Sequence, residues 1–173
     1  KLFSYTRLKA NLGFGSMNTV KSHIAFMENS YLLFQVEKYD TSLKRQIINN
    51  KKVYCIDNSF LNLVSFETTV NLGRKLENIV FVELKRRKYT IHYHREKFEC
   101  DFVLSLKNRV AGVIQVCYQL DNDNMAREIN GIVEAVTLYQ LKEGLILTMD
   151  QEEERSTNGI SIHVLPVWKW LLR

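Results

Sequence analysis

Three stretches of this sequence carry side chains suited to handling a phosphodiester. Glu77 falls in a helical run, Asp101 in a strand-like run, and Gln115-Val116-Cys117 in the strand-like run after that. Hydrolysis of a phosphodiester draws on carboxylates that hold Mg²⁺ or Mn²⁺, on a metal-bound water as nucleophile, and often on a lysine that assists the water or the developing charge. Residues two apart on a strand share a face, so an acid and a lysine separated by one residue present both groups to one cleft. Gln115 and Cys117 have that spacing with different chemistry. An amide oxygen ligates a metal without bringing negative charge, and a thiol does not replace an ammonium. The expected metal ligands are therefore Glu77, Asp101 and Gln115, and the expected catalytic set, Glu77, Asp101, Gln115 and Cys117, is degenerate.

The elements that must position these groups follow from periodicity. Residues 71–88 form the longest helical pattern, with Leu72, Leu76, Ile79, Val80 and Leu84 on one side and Lys85-Arg86-Arg87-Lys88 as a dipole-matched, solvated C-terminus. Strands are predicted over 89–94, 98–106 and 109–119, with tight turns at Glu96-Lys97 and Lys107-Asn108. A helix over 124–141, an apolar strand over 144–149, an acidic loop over 151–158, a strand over 160–164 and a short helix over 167–172 complete the chain. A helix between the third and fourth strands permits a parallel crossover, so one mixed sheet with helices on its faces is expected. His92 and His94 are read as residues of a solvated or edge face. Trp168 and Trp170 are read as anchors of the tail.

Ahead of this lies a different pattern. A short helical candidate over 6–11 ends at Gly13 and Gly15, and Ser16 then offers an N-cap for a helix whose apolar face is Met17, Val20, Ile24, Met27 and Tyr31. Asn18, Thr19 and Lys21 lie on its polar face. Strands over 31–39 and 51–56 flank a polar tip, 40–50, that carries Lys44 and Arg45. Two helices followed by a basic-tipped hairpin describe a winged helix, in which the second helix enters a major groove and wing cations meet phosphate. Residues 57–66 read as a helical connector. The chain is thus expected to be α/β (α+β): a winged-helix domain over 1–66, then a larger domain over 67–173.

Charge sharpens the division. The net charge is +5, yet residues 1–66 hold nine Lys and Arg against four Asp and Glu, while residues 67–173 hold fifteen of each. The whole excess lies in the first part, which is therefore the part expected to meet a polyanion. At 46% apolar and 25% charged over 173 residues, the chain can bury a proper core. No apolar run approaches the length of a membrane span, and the first residues lack the apolar core of a signal peptide, so a cytoplasmic location is expected. Cys55, Cys100 and Cys117 are odd in number and far apart, which speaks against a disulfide framework and for free thiols.

With these residues in place, a resemblance can be stated. Gly73-Arg74-x-x-Glu77-Asn78, Glu99-Cys100-Asp101-Phe102-Val103 and Ile114-Gln115-Val116-Cys117-Tyr118 resemble the PD-(D/E)XK nuclease-like domain, which implies a restriction-endonuclease-like α-β-β-β-α-β core. With Lys51-Lys52-Val53-Tyr54-x-Ile56-Asp57, Arg127-Glu128-Ile129 and the tail Val164 to Leu172, the chain resembles the uncharacterised domain that follows the motor in many bacterial and archaeal AAA+ ATPases. The resemblance implies a prokaryotic protein with an N-terminal ATPase module as its covalent partner, DNA as its ligand, and Arg127 as a residue able to reach phosphate or to pair with Glu128. No GxxxxGK[ST] phosphate loop occurs: Gly13-Phe14-Gly15-Ser16 lacks the lysine. The chain also begins at Lys1, so it reads as the C-terminal part of a longer ATPase. Three functions follow as expectations: a DNA-binding accessory region with a degenerate nuclease-like domain; an active divalent-metal nuclease with Glu99 as relocated ligand; or a protein-interaction module that recruits a partner to the motor.

Overall fold

Ser4, Ser16 and Asn71 each start a helix in the computed structural model, which describes residues 2–60, 71–107 and 109–173. Their side-chain oxygens accept the backbone N–H of Arg7 at 3.2 Å, Thr19 at 3.1 Å and Arg74 at 3.1 Å. Each satisfies a donor that the helix itself cannot. The chain divides into two compact units, Lys1–Ser65 and Phe66–Arg173.

In the first unit, β1 (Leu2–Phe3) leads into α1 (Tyr5–Leu12) and α2 (Met17–Asn29), followed by β2 (Leu33–Glu37), α3 (Leu43–Ile48) and β3 (Lys51–Cys55). Gly13 closes α1 in the left-handed region at φ 67°, a conformation that costs glycine little. The strands form an antiparallel sheet in the order β1-β3-β2. Two helices beside this sheet have the element order of a winged helix, with one departure. The expected hairpin tip is not an open wing: it folds as α3. Asp40 explains this, because its Oδ1 accepts the Ser42 N–H at 2.8 Å and Arg45 Nε at 3.0 Å, fixing the start of the helix. Lys51 Nζ donates to the carbonyls of Gln46 and Ile47 at 3.0 and 3.3 Å, and so satisfies the end. Of the connector read over 57–66, residues 61–66 lie outside the described residues.

The second unit opens with α4 (Leu72–Arg86), continues through the strands β4 (Thr90–Arg95), β5 (Glu99–Leu106) and β6 (Arg109–Val116) to α5 (Met125–Leu138), and ends with β7 (Glu143–Thr148), β8 (Glu153–Thr157), β9 (Ile160–Pro166) and α6 (Val167–Leu171). One mixed six-stranded sheet runs β4-β5-β6-β7-β9-β8. β6/β7, joined by the α5 crossover, and β7/β9 pair parallel, whereas β4/β5, β5/β6 and β8/β9 pair antiparallel. The stretch expected as an acidic loop over 151–158 instead contains β8. Its alternating exposure at one edge of the sheet hides no apolar stripe, so the strand lacks the usual signal.

α5 seats directly on the sheet. A Cβ at Gly131 would fall 2.1 Å from the Glu99 carbonyl oxygen, where helix and strand backbones approach, and one at Gly144 would fall 2.5 Å from Ile132 Cγ2, where an α5 side chain packs onto the bare strand. Phe102, Ile132, Ile146, Leu147 and Ile162 are all fully enclosed. Each contributes about 1.5–3 kcal/mol by burial, so apolar packing holds the frame.

The charged end of α4 is more engaged than a solvated terminus. Glu83 accepts from Arg86 Nε and Nη2, both at 2.7 Å, and from Arg87 Nε. Arg87 also donates to the Trp170 carbonyl at 3.1 Å and lies 4.4 Å from the Trp170 ring centre, tying α4 to α6. Trp170 is thereby an anchor, whereas Trp168 is exposed, contrary to expectation. The Arg86 hydrogen bonds, with those of Arg87, bring the Glu83 carboxyl down to about 2. A carboxyl lowered on folding stabilises above its unfolded value near ~4.3 and loses that contribution as pH falls towards 2. Glu83→Gln should therefore cost about 1–2 kcal/mol at pH 7, a figure reduced for the solvent around Arg86, and its melting curve should close on the parent's as pH falls from about 4 and meet it only at about 2.

Candidate functional site

Glu77, Asp101, Gln115 and Cys117, drawn from a helix, two strands and the end of a strand, line one cleft of about 760 Å³ in the second unit. Asp101 and Gln115 stand opposite each other where the β5/β6 ladder gives way just beyond the Phe102↔Ile114 pair. Side chains take over the ladder there. Gln115 Oε1 accepts the Asp101 backbone N–H at 2.9 Å, and Asp101 Oδ2 accepts the Val116 N–H at 3.0 Å. The other end of the Gln115 amide, Nε2, donates to Glu128 Oε2 at 2.5 Å. Both faces of the amide are thus occupied by protein.

Glu128, on α5, is the residue that completes this arrangement. It is 3% exposed, and its second oxygen accepts Arg127 Nε at 3.0 Å and Arg127 Nη2. Sequence reasoning placed it in a pair with Arg127, and that pair exists, but its burial and its bond to Gln115 went unread. The signal was present: Glu128 lies on the same helical face as Ile132, Ala135 and Val136, and a carboxylate on an apolar face needs a buried partner. Arg127 keeps a side chain 74% exposed at the mouth of the cleft, and its guanidinium is held above its usual value first by the hydrogen bonds it donates to Glu128.

Cys117 extends β6 by donating its N–H to the Leu147 carbonyl at 3.1 Å. Burial, then the charges of Glu128 and Asp101, push its thiol up to about 12. It is neutral near pH 7, so it serves neither as a nucleophile nor as a thiolate ligand. Glu77 is half-buried on the α4 side of the cleft. Glu99 lines the same cleft and lies 3.8 Å from Arg95.

Tested as a metal site, the donor set does not fit. Mg²⁺ and Mn²⁺ take hard oxygen donors with enough negative charge to offset the loss of water. Gln115 brings no charge, and its Oε1 already accepts a backbone N–H. One oxygen of Asp101 is likewise engaged by Val116. Among the described residues, no group of three or more His, Cys, Asp and Glu is placed to hold a metal ion.

The other predicted residues lie elsewhere. Asn18, Thr19 and Lys21 are exposed on α2, with Thr19 Oγ1 2.9 Å from Ser16 Oγ and Lys21 Nζ 5.7 Å from the Tyr5 ring centre. Lys44 and Arg45 are exposed on α3, and Arg45 pairs with Asp40 at 3.0 Å. Lys51 and Lys52 on β3 are buried, and Lys51 pairs with Glu37 at 3.0 Å. His94 is not on a solvated face: it is fully enclosed, 2.9 Å from the Tyr139 hydroxyl and 2.7 Å from Glu134 Oε1. A register shift between His92 and His94 turns it towards α5. All three cysteines are free.

Residues 1–71 match the family model described as Domain of unknown function (DUF8612). The chain is similar to the uncharacterized protein MJ1544 of Methanocaldococcus jannaschii, 31% identical over 168 residues that take in 91% of this chain and 37% of that protein. It is also similar to an uncharacterized protein of Haemophilus influenzae, 25% identical over 159 residues, 91% of this chain and 38% of that protein. The chain spans less than two fifths of the length of these curated relatives. No solved structure matches it.

Two outcomes test the cleft. Gln115→Glu replaces the donor facing Glu128 with a second carboxylate, and the pair must then retain a proton that the unfolded chain has released. Stability of that variant should fall as pH rises from about 5 to 7.5, by about 3 kcal/mol at the upper end, whereas Gln115→Ala should lose about 2 kcal/mol with little pH dependence, both read from melting curves. At pH 8, Cys117 should be alkylated by iodoacetamide roughly 10³-fold more slowly than an unperturbed thiol, as followed by mass spectrometry.

Proposed function

We propose that this chain is a catalytically silent accessory region of a longer, cytoplasmic ATPase, in which α2 of the first unit meets DNA and the nuclease-like cleft of the second unit serves as scaffold. The observation that carries the reading is the double engagement of the Gln115 amide. A position that would have to present a charged ligand to a metal instead joins β5, β6 and α5. Cleavage lacks its means at that position, since the neighbouring Cys117 thiol stays protonated and supplies no cation. The active-nuclease reading needs Glu99 to replace the lost ligand, and no metal-capable group of three includes it among the described residues.

The DNA reading is supported by the charge division and by Asn18, Thr19 and Lys21, which are exposed together on one helix. Wing contacts are less well supported. Arg45 is occupied by Asp40, Lys51 and Lys52 are buried, and the tip is a helix. Contact would therefore be concentrated on α2, with Lys44 as an adjunct. Attachment to an ATPase rests on the resemblance of the sequence motifs and agrees with relatives more than twice as long.

Fluorescence anisotropy with a short duplex should show affinity that falls linearly with the logarithm of salt, with a slope near −0.9 for each phosphate neutralised. Lys21→Glu should weaken binding about tenfold and reduce the slope by about one or two. Affinity that is absent at low salt, or unmoved by this change, would remove the DNA reading. A plasmid-nicking assay with Mn²⁺ should give the same background for the parent and for Asp101→Ala; nicking lost only in the variant would restore the nuclease reading.

A further inference from the structure

The first unit hides few apolar side chains. Val20, Ile24, Val36 and Tyr54 are its buried hydrophobic residues among those described, a small core for a folded unit. Beside that core runs a groove of about 780 Å³ between α1 and α2, floored by Leu33 and Val53 of the sheet. Leu8, Leu12, Phe26 and Met27 form its walls, and Leu12 and Phe26 are 61% and 69% exposed. Large apolar side chains gathered at one open groove mark a contact surface rather than the ordinary scatter of exposed hydrophobics.

Two features define what fits it. The groove lies between two helices, and its apolar side chains recur on α2 at Val20, Ile24 and Met27, the three- and four-residue steps that receive the matching stripe of another helix. Its polar lining is cationic or neutral: Arg7, His23 and Asn11, with His23 5.2 Å from the Phe14 ring. The single acid on these two helices, Glu28, is turned inwards onto the Gln35 backbone N–H at 2.8 Å and its side-chain amide at 2.7 Å. The rim therefore offers positive charge and no competing carboxylate.

We infer that this groove docks an amphipathic α-helix of a partner protein, one with an apolar stripe flanked by glutamate or aspartate. Apolar burial would supply affinity, and the charged flanks would supply orientation and choice of partner. The surface differs in chemistry from the polar face of α2 assigned to DNA, so the two readings fail independently.

The test uses the whole chain and a synthetic helical peptide about four turns long, with leucine at helical three- and four-residue spacing and glutamate on both flanks; a counterpart carries lysine in place of glutamate. The glutamate peptide should bind with a Kd of about 10–100 μM and the lysine peptide at least about tenfold more weakly. Phe26→Asp, at an exposed position, should abolish binding with unchanged circular dichroism. Arg7→Glu should narrow or reverse the preference between the peptides. Equal binding of both peptides, no binding at millimolar concentration, or binding indifferent to Phe26→Asp overturns the inference. So does self-association of the chain that Phe26→Asp removes, because the groove would then belong to a second copy.

Discussion

The Gln115 side chain holds together three elements that no ladder bond joins at this point. Antiparallel strands that diverge expose N–H and C=O groups, and in a buried setting each unmet group costs about 1–3 kcal/mol. Asp101 and Gln115 remove that cost reciprocally, each using its side chain to satisfy backbone on the opposite strand. Glu128 then extends the arrangement to α5. A carboxylate so placed would be intolerable beside a second acid, and it is satisfied by an amide. The glutamine is therefore a structural joint of the cleft, engaged at both ends of its amide.

Much of this was legible in residue types and spacing. Ser16 announced a helix start because an oxygen-bearing side chain ahead of an apolar period has an N–H to satisfy. Strand alternation put Gln115 and Cys117 on one face, while the meeting of Glu77 and Asp101 with them was implied by the resemblance in the order of elements. Other features depend on contacts that a local pattern does not contain. α3 arises because Asp40 fixes one end while Lys51, across the loop, satisfies the other. β8 is an edge strand whose charged, alternating sequence resembles a loop. His94 looked solvated because alternation was counted through a position where the strand register shifts, and Glu128 looked like half of a surface pair because its apolar helical face was not weighed against its charge.

The two units differ in how completely they solve their own packing. The second encloses a six-stranded sheet with helices set close enough to require glycine at Gly131 and Gly144. The first has four buried hydrophobic side chains among its described residues and leaves several larger ones in the open. One of the cations behind its net positive charge, Arg7, lines an apolar groove instead. Some apparent cations are spent internally, as Lys51 is on Glu37 and on the end of α3. A count of basic residues therefore overstates the surface available to a polyanion, and the exposed face of α2 is the smaller remainder.

The near contact at Gly131 bears on how such a cleft can change over generations. The distance between helix and sheet is set there by bare backbone, at Glu99, beside the cleft but through no side chain of it. Exchanging one polar side chain of the cleft for another leaves that spacing untouched, so the architecture tolerates varied occupants. A single methyl group at the glycine would do the reverse, prying the layers apart while every cleft side chain remained in place.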